Sequence, residues 1–391
     1  MNEISSKTDK RIINEFEDEF ASFIGTKYAI GTSMGRTALI ALLKAICVKE
    51  GDEIILPAYI CEVVPNAILK LKGIPKFVDI NPDNYHISLS HLKSLINEKT
   101  KAIIINHIFG YPEDVDAIIG TMSLRSNKIY LIEDVTHALG AEYKGRKAGS
   151  LGDAAIFSLT KNMVNVGGGA ITTNDQNIAE NLKSIIINSN DSPIHIKLFF
   201  CALSYFDMKK VNSFYFNAAL NMLNNLPKYS RILVPSYNES LKIPENLAMS
   251  QMQASIALKA INKIDSLNNL RNQNQLLLDS ILRNSPCLKI LSPYKNTRHV
   301  STWYVIECNN QNIKNKLIDG CKEMGVHLSE FWNPLPIEQY SQASQRIEDF
   351  PNSTKKARLT LVFKMDPSCS NDSLFRIAYA ILSCLTLGRL N

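Results

Sequence analysis

Between Glu53 and Leu159 the chain repeats one pattern, a short apolar run followed by a helical stretch. The runs are EIILP (53–57), PKFVDI (75–80), KAIIINHIF (101–109), KIYLIEDV (128–135) and DAAIFSL (153–159). Segments with helical spacing, SHLKSLINEK and DVDAIIGTMSLRSN among them, separate most of these runs. Strands that are apolar on both faces must be covered on both, and strands joined through helices pair in parallel. The expectation is an α/β fold with a mainly parallel central sheet flanked by helices. Ligands of such sheets sit beyond the carboxyl ends of the strands.

The flanking segments extend this reading. Ile12, Ile13, Phe16, Phe20 and Phe23 share one helical face, and Gly25 ends that helix. KYAIGTS reads as a strand entering a turn. TALIALLKAICVKE, from Thr37, reads as a helix apolar around nearly its whole axis, stopped at Gly51-Asp52. GGGAITTND (167–175) adds a strand, the candidate antiparallel one. Beyond Asp175 the pattern changes: 176–240 is helical or irregular, and about 250–282 reads as one helix without Pro or Gly. TWYVIEC, IKNKLIDGCKEMG and SLFRIAYAILSCL then mix strand and helix. With 391 residues, two domains are expected: a large α/β domain, 1–245, with a helical insertion at 176–240, and a smaller C-terminal α+β domain, 246–391.

Composition narrows the function. A chain that is 45% hydrophobic and 20% charged is folded rather than disordered. Its net charge of +6 is scattered, which argues against a nucleic-acid partner and weakly favours an anionic substrate. The eight cysteines form no C-x-x-C pair, as in a reduced, cytoplasmic protein with mostly buried thiols. The stretch Ile194 to Phe206 contains His195 and Lys197 and is too short to span a bilayer. Metal-ligand spacing and a nucleophile elbow are not seen.

Four sites carry the chemistry. Ser33-Met34-Gly35-Arg36-Thr37 is a turn entering a buried helix, where free N–H groups can seat a phosphate; taken alone, an ordinary N-cap closed by Ser33 or Thr37 explains it better. Glu133-Asp134 ends a strand, where a carboxylate can keep a pyridine nitrogen protonated, and His137 follows. Lys161 lies just past the strand that holds Ser158; a partly desolvated lysine there is suited to form an imine with an aldehyde. Gly167-Gly168-Gly169 reads as a structural turn. His107 ends a strand near the expected cleft and Trp332-Asn333 lies where the small domain could face substrate, but these two, with His299, His327 and Trp303, read first as packing or surface residues.

FEDEFASFIGTKYAIGTSMGRTALIAL, GDEIILPAYICEVVPNAILKLKGIPKFVDI, TKAIIINHIFGYPEDVDAI and LIEDVTHALGAEYKGRKAGSLGDAAIFSLTKNMVNVGGGAITTND together resemble the DegT/StrS sugar aminotransferases. The likeness runs from Phe16 to Asp175 and resumes more weakly at NLAMSQMQASIAL (246–258). It implies a fold-type I homodimer with a shared active site, dependent on pyridoxal 5'-phosphate (PLP). Asp134 then matches the pyridine-nitrogen partner, Lys161 the Schiff-base lysine, and His137 the residue beside the ring hydroxyl. Gly35 and Arg36 match the backbone phosphate site, and Ser158 the phosphate-contacting serine. Asn246 matches an asparagine reaching the phosphate from the neighbouring subunit. Departures are the Ser-x-x-Lys spacing, Arg36 for threonine, Cys61 for a stacking aromatic and Ala248 for arginine.

The implied reaction moves an amino group from L-glutamate to a keto-sugar, nucleotide-linked, for amino-sugar or surface polysaccharide synthesis. Two rivals stand beside it: another PLP reaction on a sugar, such as dehydration, and a PLP-binding regulator without turnover. Relatives that dehydrate carry histidine in place of the lysine, so Lys161 favours transamination.

Overall fold

The computed structural model describes residues 2–123, 128–163, 167–187, 247–341 and 344–386. The chain opens with α1 (Asn2–Ile24), β1 (Tyr28–Thr32), α2 (Gly35–Ala45), β2 (Glu53–Pro57), α3 (Val63–Lys70) and β3 (Ile74–Val78). It continues through α4 (Leu89–Leu95), β4 (Thr100–Asn106), α5 (Val115–Met122), β5 (Tyr130–Asp134), and a small hairpin of β6 (Glu142–Tyr143) and β7 (Arg146–Lys147). Then come β8 (Ala154–Ser158), the one-turn α6 (Leu159–Asn162), β9 (Gly169–Thr173) and α7 (Gln176–Ile187).

The large sheet has the order β1-β9-β8-β5-β4-β2-β3. Its pairs from β3 to β8 are parallel, and β9 is antiparallel to both β1 and β8. All five apolar runs became strands of this sheet, and the glycine-led run became its antiparallel member. Side chains alternate between two cores. Ile104, Ile132 and Ile156 join α2 on one face, while Ile103, Ile105 and Leu131 join a cluster with Val115 and Ile118 of α5 on the other. Each of these buried aliphatic side chains is worth about 1.5–3 kcal/mol.

Two helices differ from expectation. α2 ends at Ala45, well before Gly51. Cys47 adopts φ 57°, and the Val48 and Cys47 N–H groups donate to Leu43 and Lys44 carbonyls at 3.0 and 2.9 Å. That is a Schellman stop with cysteine at the position glycine usually takes. The stretch from 250 is two helices, α8 (Gln251–Ile261) and α9 (Ile264–Leu282). Residues of α8 pack with Phe16, Phe20 and Ile24 of α1, whereas Leu278 and Leu282 of α9 enter a separate core. The break at Asn262-Lys263 lets one stretch serve both cores. A capping box starts α8: the Ser250 hydroxyl accepts from the Gln253 N–H, and the Gln253 side chain accepts from the Ser250 N–H.

The second core covers a four-stranded antiparallel sheet, β10-β12-β14-β13. Its elements are β10 (Leu288–Ile290), β11 (Thr297–Arg298), β12 (Trp303–Cys308), α10 (Gln311–Glu323), β13 (Ser329–Glu330), α11 (Ile337–Tyr340), α12 (Pro351–Leu359), β14 (Thr360–Lys364) and α13 (Asn371–Thr386). β11 instead pairs with β6 in a separate three-stranded sheet, β11-β6-β7. No helix among the described residues is long and apolar enough to cross a membrane. Most of the expected 176–240 insertion, and the apolar stretch within it, lie outside the described residues. Of the seven described cysteines only Cys308, Cys321 and Cys384 are buried, fewer than expected; Cys47 is exposed.

Candidate active site

Three adjacent strands, β8, β5 and β4, end in Ser158, Asp134 and Asn106. Each lies two residues beyond an isoleucine of the core shared with α2, so strand alternation puts all three on the α2 face. Asp134 and Asn106 are direct partners in the parallel register. Asp134 is 5% exposed, and its Oδ1 accepts from the Thr136 N–H at 3.0 Å.

Glu133 faces the other way. Its carboxylate accepts from the N–H groups of Gly149, Leu151 and Gly152 at 2.7–2.8 Å and meets His107 Nε2 at 2.9 Å. His107 Nδ1 accepts from the Glu113 N–H, which leaves the proton on Nε2 for Glu133. Glu133 and His107 therefore brace loops, and only the second half of the acidic pair faces the cleft.

Lys161 stands on α6, one turn past β8, with Nζ 2.9 Å from His137 Nε2. Burial, and then the lysine charge, hold the His137 imidazole well below its usual range, so it is neutral at pH 7. Its Nε2 accepts from the ammonium, and its proton sits on Nδ1, which has no partner among the described residues. Cys61 is at the same site. Burial pushes its thiol up, against the pull of the Lys161 charge and with a push from Asp134. The half-buried Arg36 guanidinium, lowered by burial, feels that thiol.

The start of α2 meets the end of β8. A Cβ on Gly35 would lie 3.0 Å from Ser158 Cβ and 3.3 Å from the Phe157 carbonyl oxygen, so glycine permits the approach. Behind the turn, a Cβ on Gly169 would lie 2.5 Å from the Met34 carbonyl carbon. The Ser33 N–H donates to the Leu247 carbonyl at 3.0 Å, and the Gln253 side chain donates to the Ser33 carbonyl at 3.1 Å. A turn fixed this way holds the leading N–H groups of α2 ready for an anion. The triglycine thus backs the anion seat as well as turning the chain. Asn246 lies outside the described residues; Leu247, which follows it, touches Ser33 of the same chain.

Aromatic side chains cover the cleft. Phe331 and Trp332, just past β13, stand 5.3 and 5.7 Å from the His137 ring, and Trp332 lies 5.3 Å from Tyr59. Trp332, read as packing or as a residue facing substrate from the small domain, reaches the candidate site, whereas His299 is a packing residue stacked on Tyr111 at 4.7 Å. Sequence reasoning missed Asn106, Tyr59 and Phe331. Only Asn106 left a signal: a polar residue closing an isoleucine run at the ligand edge.

The set fits a phosphorylated pyridine aldehyde. It offers a carboxylate for the ring nitrogen, an amine for the aldehyde and a helix start for the phosphate. Among the described residues, buried polar atoms of His137 and Asn106 are left without partners and could meet a polar ring.

Residues 5–382 match the model of the DegT/DnrJ/EryC1/StrS aminotransferase family. The spore coat polysaccharide biosynthesis protein SpsC of Bacillus subtilis is 26% identical over 94% of this chain and 88% of its own length. GDP-perosamine synthase of Caulobacter vibrioides is 38% identical over 44% of this chain and 47% of its own. An aminotransferase of Streptococcus pneumoniae solved in its PLP form shares the fold, with TM-score 0.76 and 20% identity over 95% of this chain and 91% of that one.

Proposed function

This chain belongs to the DegT/DnrJ/EryC1/StrS aminotransferase family, and from that premise we propose that it is a PLP-dependent aminotransferase moving an amino group from L-glutamate to a nucleotide-linked keto-sugar. The observation that carries the reading is the Lys161–His137 contact of 2.9 Å, set beyond the strand ends that present Asp134 and Ser158. The sugar acceptor draws support from relatives named for perosamine synthesis and for a dTDP-amino-sugar transaminase.

When bound, the cofactor's protonated pyridine ring withdraws electrons from the donor's Cα and makes its proton removable. Asp134 holds the proton on the ring nitrogen. Lys161 binds the aldehyde through its amine and, once freed by the donor, moves the proton at Cα. His137 Nε2 holds the freed amine over the strand ends. Gly35, Arg36 and Ser158 seat the phosphate, the first two through the N–H groups that open α2. Phe331 and Trp332 restrict water above His137. The homodimer and the phosphate contact of Asn246 rest on the resemblance, and the division into domains 1–245 and 246–391 on chain length and the change of pattern along the sequence. A cytoplasmic place agrees with the seven free cysteines among the described residues.

The test is the absorbance of the purified full chain with PLP, before and after L-glutamate. A visible band that gives way to an ultraviolet one is expected. A band that glutamate leaves unchanged removes the donor assignment, and no band at all removes the cofactor.

A further inference from the structure

Asn106 plays no part in the roles assigned above, yet it is the register neighbour of Asp134 and only 3% exposed. Both polar atoms of its amide, Nδ2 and Oδ1, are buried without a partner among the described residues. Folded proteins rarely leave a buried amide without a partner, and a ligand, an ion or a bound water supplies it where the protein does not. The strand itself does not need it: Ile103, Ile104 and Ile105 precede Asn106, and an aliphatic residue would close the run without that cost.

The order of the strands says which part of the cofactor Asn106 meets. Ser158, Asp134 and Asn106 form a row across β8, β5 and β4 on one face of the sheet. The phosphate seat is at the β8 end of that row, where Gly35 meets Ser158. The ring nitrogen belongs in the middle, at Asp134. On a pyridoxal ring the phosphate arm and the ring oxygen stand on opposite flanks of the nitrogen–aldehyde axis. An arm held towards β8 therefore turns the oxygen flank towards β4.

We propose that Asn106 is a cofactor-contacting residue whose Nδ2–H donates to the ring oxygen of the bound cofactor. The inference rests on the cofactor assignment above and adds a donor to it. The ring oxygen is most in need of a donor when the neighbouring lysine-bound nitrogen has lost its proton. A donor from Asn106 therefore favours the deprotonated nitrogen, and its removal favours the protonated one.

The experiment is a pH titration of the visible band in the PLP-loaded full chain, with Asn106→Val and Asn106→Ala beside the unaltered protein. The midpoint should rise by about one pH unit in both variants, and PLP should bind about tenfold more weakly. Thermal melting of the cofactor-free chain supplies an independent readout. Asn106→Val should melt higher than the unaltered chain, because it removes two unspent polar atoms. A midpoint that moves in neither variant overturns the inference while leaving the cofactor assignment intact. A cofactor-free Asn106→Val that melts lower shows a structural partner for the amide and also overturns it. No visible band in the unaltered protein removes the cofactor assignment, and the role of Asn106 falls with it.

Discussion

Glu133 and Asp134 are neighbours in sequence and opposites in the fold. On the Glu133 side every buried polar atom of the carboxylate is met, by three backbone N–H groups and His107. On the Asp134 side, atoms of Asn106 and His137 are buried and unmet among the described residues. The sequence presents two equivalent acids at a strand end, and strand alternation sends one to each face. A saturated acid holds loops together; an edge with unspent polar atoms waits for a partner. Between these two acids, hydrogen-bond saturation rather than burial or charge separates architecture from site.

The sharpest way to break that contrast is to remove function from one face and stability from the other. On the Asp134 side, Lys161→Ala should lose the visible PLP band and at least about a thousandfold of the half-reaction rate with L-glutamate. Rapid-mixing absorbance would measure this, and near-normal rates would end the assignment of Lys161. Asp134→Ala should likewise lose cofactor affinity and rate, while cofactor-free stability changes by less than about 1 kcal/mol. Across the strand, Glu133→Ala strands His107 and three backbone donors. It should cost about 3–5 kcal/mol in urea unfolding of the cofactor-free chain. If Glu133→Ala kept its stability and lost only the cofactor, the division between the two faces would be wrong.

The same contrast explains what could be read in advance. Asp134, His137, Ser158, Lys161 and Gly35 come in a fixed order at strand ends and helix starts, and it is this order, through the family resemblance, that singled them out. All five strands between Glu53 and Leu159 were legible for the same reason: apolar runs of that length have little else to do. Asn106 was not legible as a site residue, because its meaning lies in its lateral register with Asp134. Trp332 was legible only as a residue that could face substrate, for a related reason. Its contact with His137 depends on how the region after β13 returns to the large sheet. The early end of α2 was hidden because Cys47 adopts the left-handed conformation without being glycine.

A third buried acid sharpens the contrast by a smaller effect. Glu113 has one backbone donor, the Ile87 N–H at 3.0 Å, where Glu133 has three, and its other oxygen lies 3.9 Å from His86. Burial pushes its carboxyl from 4.5 up to about 8, with the Ile87 bond only partly opposing. His86 is lowered to about 4 by burial, then by His107, so both partners are uncharged at pH 7. Between pH 4.5 and about 8 the folded chain holds a proton on Glu113 that the unfolded chain has released. The stability tied to that proton is complete below the lower value and falls as pH rises through the window. Glu113→Gln keeps an acceptor for Ile87 and cannot ionise. It should flatten this slope and raise stability at neutral pH by up to about 3 kcal/mol, read from urea midpoints on either side of the window. Glu133→Gln should do the reverse, since an amide turns N–H groups towards a pocket already filled with donors. A pH slope that survives Glu113→Gln would mean that Glu113, like Glu133, is a fully met acid.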